Sequence, residues 1–186
     1  MPAPRESGER HLPLMSDGMR TLLVFRHGKS DWDGDHDSDH ERPLNDRGVR
    51  SARLMGRVLS ARGIEPDAMI SSTAVRAHTT AELAREAGGW RAGVTLEPRL
   101  YDSSPGEALS VAAGAPDLER VMLVGHQPTW SQLVLLVSGS EAELKTADVA
   151  VIEADIATWA DLEPGCGGLG EILRSRDFLD SEWDRP

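Results

Sequence analysis

Residues 21–26 read TLLVFR and run straight into His27-Gly28, while residues 120–124 read RVMLV and run into Gly125-His126-Gln127-Pro128. Each is a short, unbroken run of apolar and β-branched side chains. That is the pattern of a strand buried on both faces, in contrast to the alternation of a half-exposed one. Strands of this kind need helices on either side, and the intervening sequence supplies them.

Between the two runs, Val49, Ala52, Leu54, Met55, Val58 and Leu59 mark one face of a helix from Asp46 to about Arg62, with Asn45 as its N-cap and Gly63 as its stop. Asp67 to Ser71 reads as a second strand, after which Thr73 is expected to cap a helix from Ala74 to about Ala87. Val94 to Leu96 is a short strand, and Ser104 followed by Pro105 opens another helix. A helix from Pro128 to Val137 follows the second run. Ala147 to Glu153 and Thr158 to Leu162 are expected to form two further strands, paired as a hairpin at a sheet edge. Strands alternating with helices predict a three-layer α/β/α sandwich with a mainly parallel sheet.

In such a sheet ligands bind outside the carboxyl ends of the strands. Arg26-His27-Gly28, Ser71 to Arg76 and Gly125-His126 all fall just past predicted strands, so three segments deliver two His and two Arg to one edge. The guanidinium forks of Arg26 and Arg76 match phosphate oxygens, and His126, if protonated, adds a third cationic donor. His27 has the chemistry of a nucleophile: a neutral imidazole nitrogen attacks phosphorus, and the neighbouring cations should lower its pKa and keep it neutral. Gly28, without a side chain, is expected to let the backbone approach the ligand. Taken singly, each of these residues is an ordinary loop or helix residue. Their convergence on one edge is what carries the reading.

The bulk composition restricts the alternatives. The chain has 186 residues, 39% hydrophobic and 27% charged, and fits one globular domain. Its net charge of -11 opposes non-specific binding to nucleic acid or to an anionic membrane surface. No apolar run approaches the ~20 residues of a membrane-spanning helix, and the single cysteine, Cys166, allows no intramolecular disulfide, which fits a cytoplasmic protein. Residues 1–19 are expected to be a disordered tail, with Met15 and Met19 as alternative starts, and residues 20–186 one catalytic domain. No metal and no cofactor are expected: DWDGDHDSDHE, residues 31–41, fits no register of a calcium loop. It is expected to be a solvated acidic loop beside the site, where Asp33, Asp35, Asp37 and Asp39 would repel highly anionic substrates.

LLVFRHGKSDW, ERPLNDRG, SSTAVRAHTT and VMLVGHQP, in that order, resemble the motifs of the histidine phosphatase superfamily, whose fold is phosphoglycerate mutase-like. The likeness is nearest to its SixA-type phosphohistidine phosphatases and spans about Arg20 to Leu162. Thr73 and Thr79 stand where proline and glutamine are common. The resemblance implies a metal-independent hydrolase in which His27 is phosphorylated and Arg26, Arg76 and His126 bind the phosphoryl group. Arg42 would sit at the rim, touching phosphate or substrate. Many relatives carry a Glu after the third strand as general acid. Here Asp102 is the nearest candidate, Glu107 a poorer one, and a turn-capping role for Asp102 is equally open. Few residues separate Arg76 from Leu100, which leaves no room for the helical insertion of the mutases and implies an open site. The implied substrate is phosphohistidine on a protein. A small phosphomonoester, such as a sugar or nucleotide phosphate, is the alternative, and a degenerate phosphate-binding module is the non-enzyme reading.

Overall fold

The computed structural model describes residues 18–34 and 36–184, so most of the expected tail lies outside the described residues. Along the chain come β1 (Met19–Arg26), α1 (Asp46–Ala61), β2 (Ala68–Ser71), α2 (Val75–Gly88), β3 (Val94–Leu96), α3 (Pro105–Ala113), β4 (Arg120–Gly125), α4 (Thr129–Ser138), β5 (Val149–Asp155), β6 (Gly167–Leu173) and the single turn α5 (Ser175–Phe178). One sheet runs in the order β3-β2-β4-β1-β5-β6. The first four strands are mutually parallel, and β5 and β6 add antiparallel at one side.

The two deciding runs lie side by side in the middle of this sheet, Leu22 opposite Val121 and Arg26 opposite Gly125. Leu22, Val24, Val121 and Leu123 point into the core layer under α3 and α4. Leu23, Phe25, Met122 and Val124 point into the opposite layer, against α1 and α2. All eight are inaccessible to solvent, which is why neither run alternates in polarity. The sheet is thus a three-layer α/β/α sandwich, mostly parallel.

Caps follow local chemistry. Asn45 accepts from the backbone N–H of Gly48, and Ser104 and Glu107 form a reciprocal capping box on α3. Two local expectations are corrected. Thr73 does not cap α2: its hydroxyl pairs with His40 Nε2 at 2.9 Å, and Ala74 occupies the N-cap while Ser72 Oγ accepts from its N–H. Thr158 to Leu162 is no strand. Trp159–Asp161 form a 3-10 turn, with Thr158 and Asp161 as its capping pair, because Trp159 and Leu162 bury together at a spacing of three. The edge strand is instead the glycine-rich Gly167–Leu173.

Candidate active site

Because β1, β2 and β4 are parallel, their carboxyl ends meet at one edge. Arg26 ends β1, Ser71 ends β2 and Gly125 ends β4, with Val124 opposite both Phe25 and Ser71. The N–H of His27 bonds to Gly125 O at 3.0 Å, and that of Ser72 to Val124 O at 2.9 Å, so each loop leaves its strand already tied to the next. Arg26, His27, Lys29, Ser30, Trp32, Arg42, Arg76, His126, Gln127 and Thr146 line a cavity of about 360 Å³ at this edge. The four residues expected to carry the chemistry therefore share one pocket, and Arg42 joins them.

His27 is 8% exposed, and its Nδ1 lies 2.6 Å from Gly28 O. A carbonyl only accepts, so Nδ1 carries the proton and Nε2 keeps its lone pair. Burial, together with Arg76, Arg26 and Arg42, depresses its pKa to about 4 against a weaker opposing effect of the Gly28 carbonyl. Desolvation thus exceeds the cationic neighbours as the cause of neutrality. Gly28 serves a different neighbour from the one expected: a Cβ there would lie 2.7 Å from the backbone oxygen of Gly48, the first turn of α1. Gly48 reciprocates, since its own Cβ would come within 2.1 Å of Lys29 O. The Gly28 N–H donates to Thr80 Oγ1 at 2.9 Å, and that hydroxyl donates to Arg76 O at 2.6 Å. Thr80, a residue not singled out from sequence, therefore couples the nucleophile loop to the helix that carries Arg76.

His126 sits 5.1 Å from His27, centroid to centroid. Its Nε2 is 2.8 Å from Ser72 Oγ, a fully buried hydroxyl that already accepts from the Ala74 N–H. The Ser72 hydroxyl and His126 Nε2 thus share one hydrogen bond. Burial, then His27 and Arg76, depress the His126 pKa to about 3. His126 is therefore neutral around pH 7, and its one N–H can still donate to an oxyanion. Among the described residues, five buried side-chain polar atoms lack a partner, and three of them are Arg26 Nε, Arg76 Nε and His126 Nδ1. All three belong to residues that line the pocket.

Arg42 is held differently from the other two arginines. Its Nη1 donates to Ser30 Oγ at 2.5 Å, its Nε and Nη2 donate to Asp39, and its guanidinium lies 3.5 Å over the ring of Trp32. Asp39 was expected on a solvated face. Its carboxylate instead bridges Arg42 and Arg76 and accepts from the Tyr101 hydroxyl at 3.0 Å. Partial burial opposes ionisation, but hydrogen bonds from Arg42 and the charge of Arg76 prevail and hold its pKa at about 2. Asp102 lies outside the lining of the pocket, exposed and with φ 54°; its neighbour Tyr101 turns its ring toward His126 at 5.7 Å. The Glu107 carboxylate is engaged at the Ser104 cap.

A larger cavity, about 730 Å³, adjoins the pocket and shares Arg26 and Gln127 with it; Pro128, Leu135, Glu141, Ala142 and Glu143 are among its walls. Arg26 Nη1 and Gln127 Nε2 both donate to Leu144 O at 2.8 Å, forming the partition between the two cavities.

The family model of the histidine phosphatase superfamily (branch 1) matches residues 22–112. An uncharacterized protein of Mycobacterium tuberculosis is 36% identical over 157 residues, covering 78% of this chain and 96% of its own. The solved structure of a putative phosphohistidine phosphatase SixA from Nakamurella multipartitia is 31% identical, with a TM-score of 0.71 over 84% of this chain and 96% of that one. A protein histidine phosphatase SixA complexed with tungstate shares the fold, with a TM-score of 0.72 at 21% identity over 85% of this chain and 99% of that one. Motifs, sheet order and these likenesses agree: the chain belongs to the histidine phosphatase superfamily, as one of its SixA-type members.

Proposed function

We propose that this phosphatase removes phosphate from phosphohistidine on proteins, with His27 as the covalent carrier. The observation that carries the reading is the tautomer of His27. Nδ1–H is fixed on Gly28 O, and Nε2 is a free lone pair in a pocket lined by Arg26, Arg76 and His126. In the first step Nε2 attacks phosphorus, the N–P bond to the substrate imidazole breaks, and that imidazole keeps or takes up a proton. In the second, water attacks the phosphoryl group, releasing inorganic phosphate and restoring the His27 lone pair. Arg26, Arg76 and His126 hold the equatorial oxygens through both steps.

Two features support a nitrogen leaving group. No carboxyl group lines the pocket among the described residues, and the nearby Asp39 is ionised, so no fixed acid waits for an alkoxide. An imidazole leaves as a neutral ring once protonated and does not need one. The adjoining groove beyond Arg26 and Gln127 also offers room for the polypeptide around the phosphorylated residue. The solved relative at 31% identity bears the same activity in its name.

The test is phosphate release by the purified chain in EDTA, comparing a phosphohistidine peptide with a panel of phosphomonoesters and using His27→Ala as the blank. The expected result is a strong preference for the peptide and a loss of at least ~10³-fold in the blank. A preference for a sugar or nucleotide phosphate, lost in Asp102→Asn, would move the function to small-molecule esters and make Asp102 the acid. Absence of any His27-dependent turnover would leave a phosphate-binding module.

A further inference from the structure

Asp39 stands on a surface loop, yet its side chain makes more contacts with the phosphoryl pocket than with solvent-side neighbours. Oδ1 accepts from Arg42 Nε at 3.2 Å and Nη2 at 2.8 Å; Oδ2 accepts from Arg76 Nη2 and from the Tyr101 hydroxyl, both at 3.0 Å. Its backbone oxygen accepts from Arg76 Nη1 at 2.6 Å. The loop that carries it is pinned to the start of α2, where the Val75 N–H donates to His40 O at 3.0 Å and His40 Nε2 meets Thr73 Oγ1. The carboxylate is 52% exposed, whereas the side chains of Arg42 and Arg76 beneath it are each 6% exposed. Asp39 thus lies on the solvent side of the two guanidinium groups.

A guanidinium offers its donors along edges. Asp39 takes one N–H from each terminal nitrogen of Arg76, and the second N–H of each remains for a ligand. Two arginines in one small cavity also repel each other, and a shared carboxylate offsets that repulsion without occupying the unmet donors. Arg42 is the fixed end of the bridge, locked by Ser30 and stacked on Trp32.

We propose that Asp39 is a positioning residue of the phosphoryl site: it ties Arg76 to Arg42, which Ser30 and Trp32 hold, and so fixes the Arg76 guanidinium at the wall of the pocket. Asp39 does not touch phosphorus chemistry itself. The rival geometry is that Asp39 competes with phosphate for Arg76, and the two predict opposite signs. Removal of a positioning carboxylate weakens oxyanion binding, and removal of a competitor strengthens it.

The role rests on this pocket being the phosphoryl site, so the experiment first measures tungstate binding to the full chain by calorimetry. A wild-type chain that binds no tungstate overturns the pocket assignment itself, and the positioning role with it. With wild-type binding in hand, Asp39→Asn is expected to weaken tungstate by about tenfold or more, as for loss of a charged hydrogen-bonding partner. KM should rise by a similar factor, with a smaller change in kcat. Asp39→Glu, which keeps the charge, should recover part of the lost affinity, a rescue that a purely structural anchor of the loop would not require. Unchanged or tighter tungstate binding in a folded Asp39→Asn chain overturns the proposal, and tighter binding makes Asp39 the competitor.

Discussion

At the scale of single residues, catalytic competence here reduces to which nitrogen holds a proton. Gly28 O fixes the answer for His27: the proton sits on Nδ1 and the lone pair on Nε2. Nitrogen-detected NMR of the labelled chain at pH 7 should show both rings neutral, with His27 protonated on Nδ1. A proton on His27 Nε2 would sink the assignment. Titration should leave both neutral until the pH falls to about 4 for His27 and about 3 for His126. A linked change in stability follows. An unfolded histidine takes up its proton near pH 6.5, whereas the folded chain does not until pH about 4 or below. Between these values the unfolded state binds more protons, so stability is full above pH ~6.5 and falls as pH decreases through the window. Urea midpoints that rise on acidification from pH 6.5 to 4.5 would contradict the buried neutral pair.

At the scale of elements, two glycines of α1 solve different problems. Gly48 lets the first turn of the helix touch the Lys29 backbone, and Gly56 lets its middle cross α2 against Ala84 O; a Cβ would come within 2.1 Å of either partner. Both substitutions to Ala should destabilise the chain by about 1–3 kcal/mol through forced backbone shifts. Gly48→Ala should in addition reduce turnover, because the displaced segment begins at His27, whereas Gly56→Ala should leave the rate of the folded protein near wild type. Equal rates in the two variants would separate α1 from the nucleophile loop. These elements also show what was legible beforehand. The runs ending in His27 and His126 read correctly because a strand buried on both faces has no polar residue to obscure it. Asn45 and Ser104 read correctly because capping is local. The edge strand Gly167–Leu173 was missed because its glycines carry no strand preference and its pairing to β5 is a distant contact. Asp39 escaped for a similar reason: in sequence it is one aspartate among several in an acidic loop, and only the folded position of Arg76, 37 residues on, distinguishes it. Its bridge to Arg42 and Arg76 sets Asp39 apart from the rest of the acidic stretch. Asp31 accepts from the Asp33 N–H within the loop, while Asp39 faces inward.

At the scale of the whole molecule, an acidic chain of net charge -11 carries a pocket lined by Arg26, Arg42 and Arg76 with Lys29 at its edge. The cationic character is local, held by three parallel strands that end together, and the surrounding surface gives anions no other reason to linger. Between Arg76 and Leu100 the chain holds only the rest of α2, the short β3 and a 3-10 turn. The unpartnered nitrogens Arg26 Nε, Arg76 Nε and His126 Nδ1 have a consequence that reaches beyond the pocket. A ligand that pairs with the pocket's cations binds the folded chain and not the unfolded one, so every such guest shifts the folding equilibrium. Saturation a hundredfold above the dissociation constant adds about 2.7 kcal/mol, several degrees of melting temperature for a domain of this size. Melting curves recorded across a library of phosphorylated compounds and oxyanions would then rank ligands without any turnover being observed, and the protein's own heat resistance would become the readout of what it was built to hold.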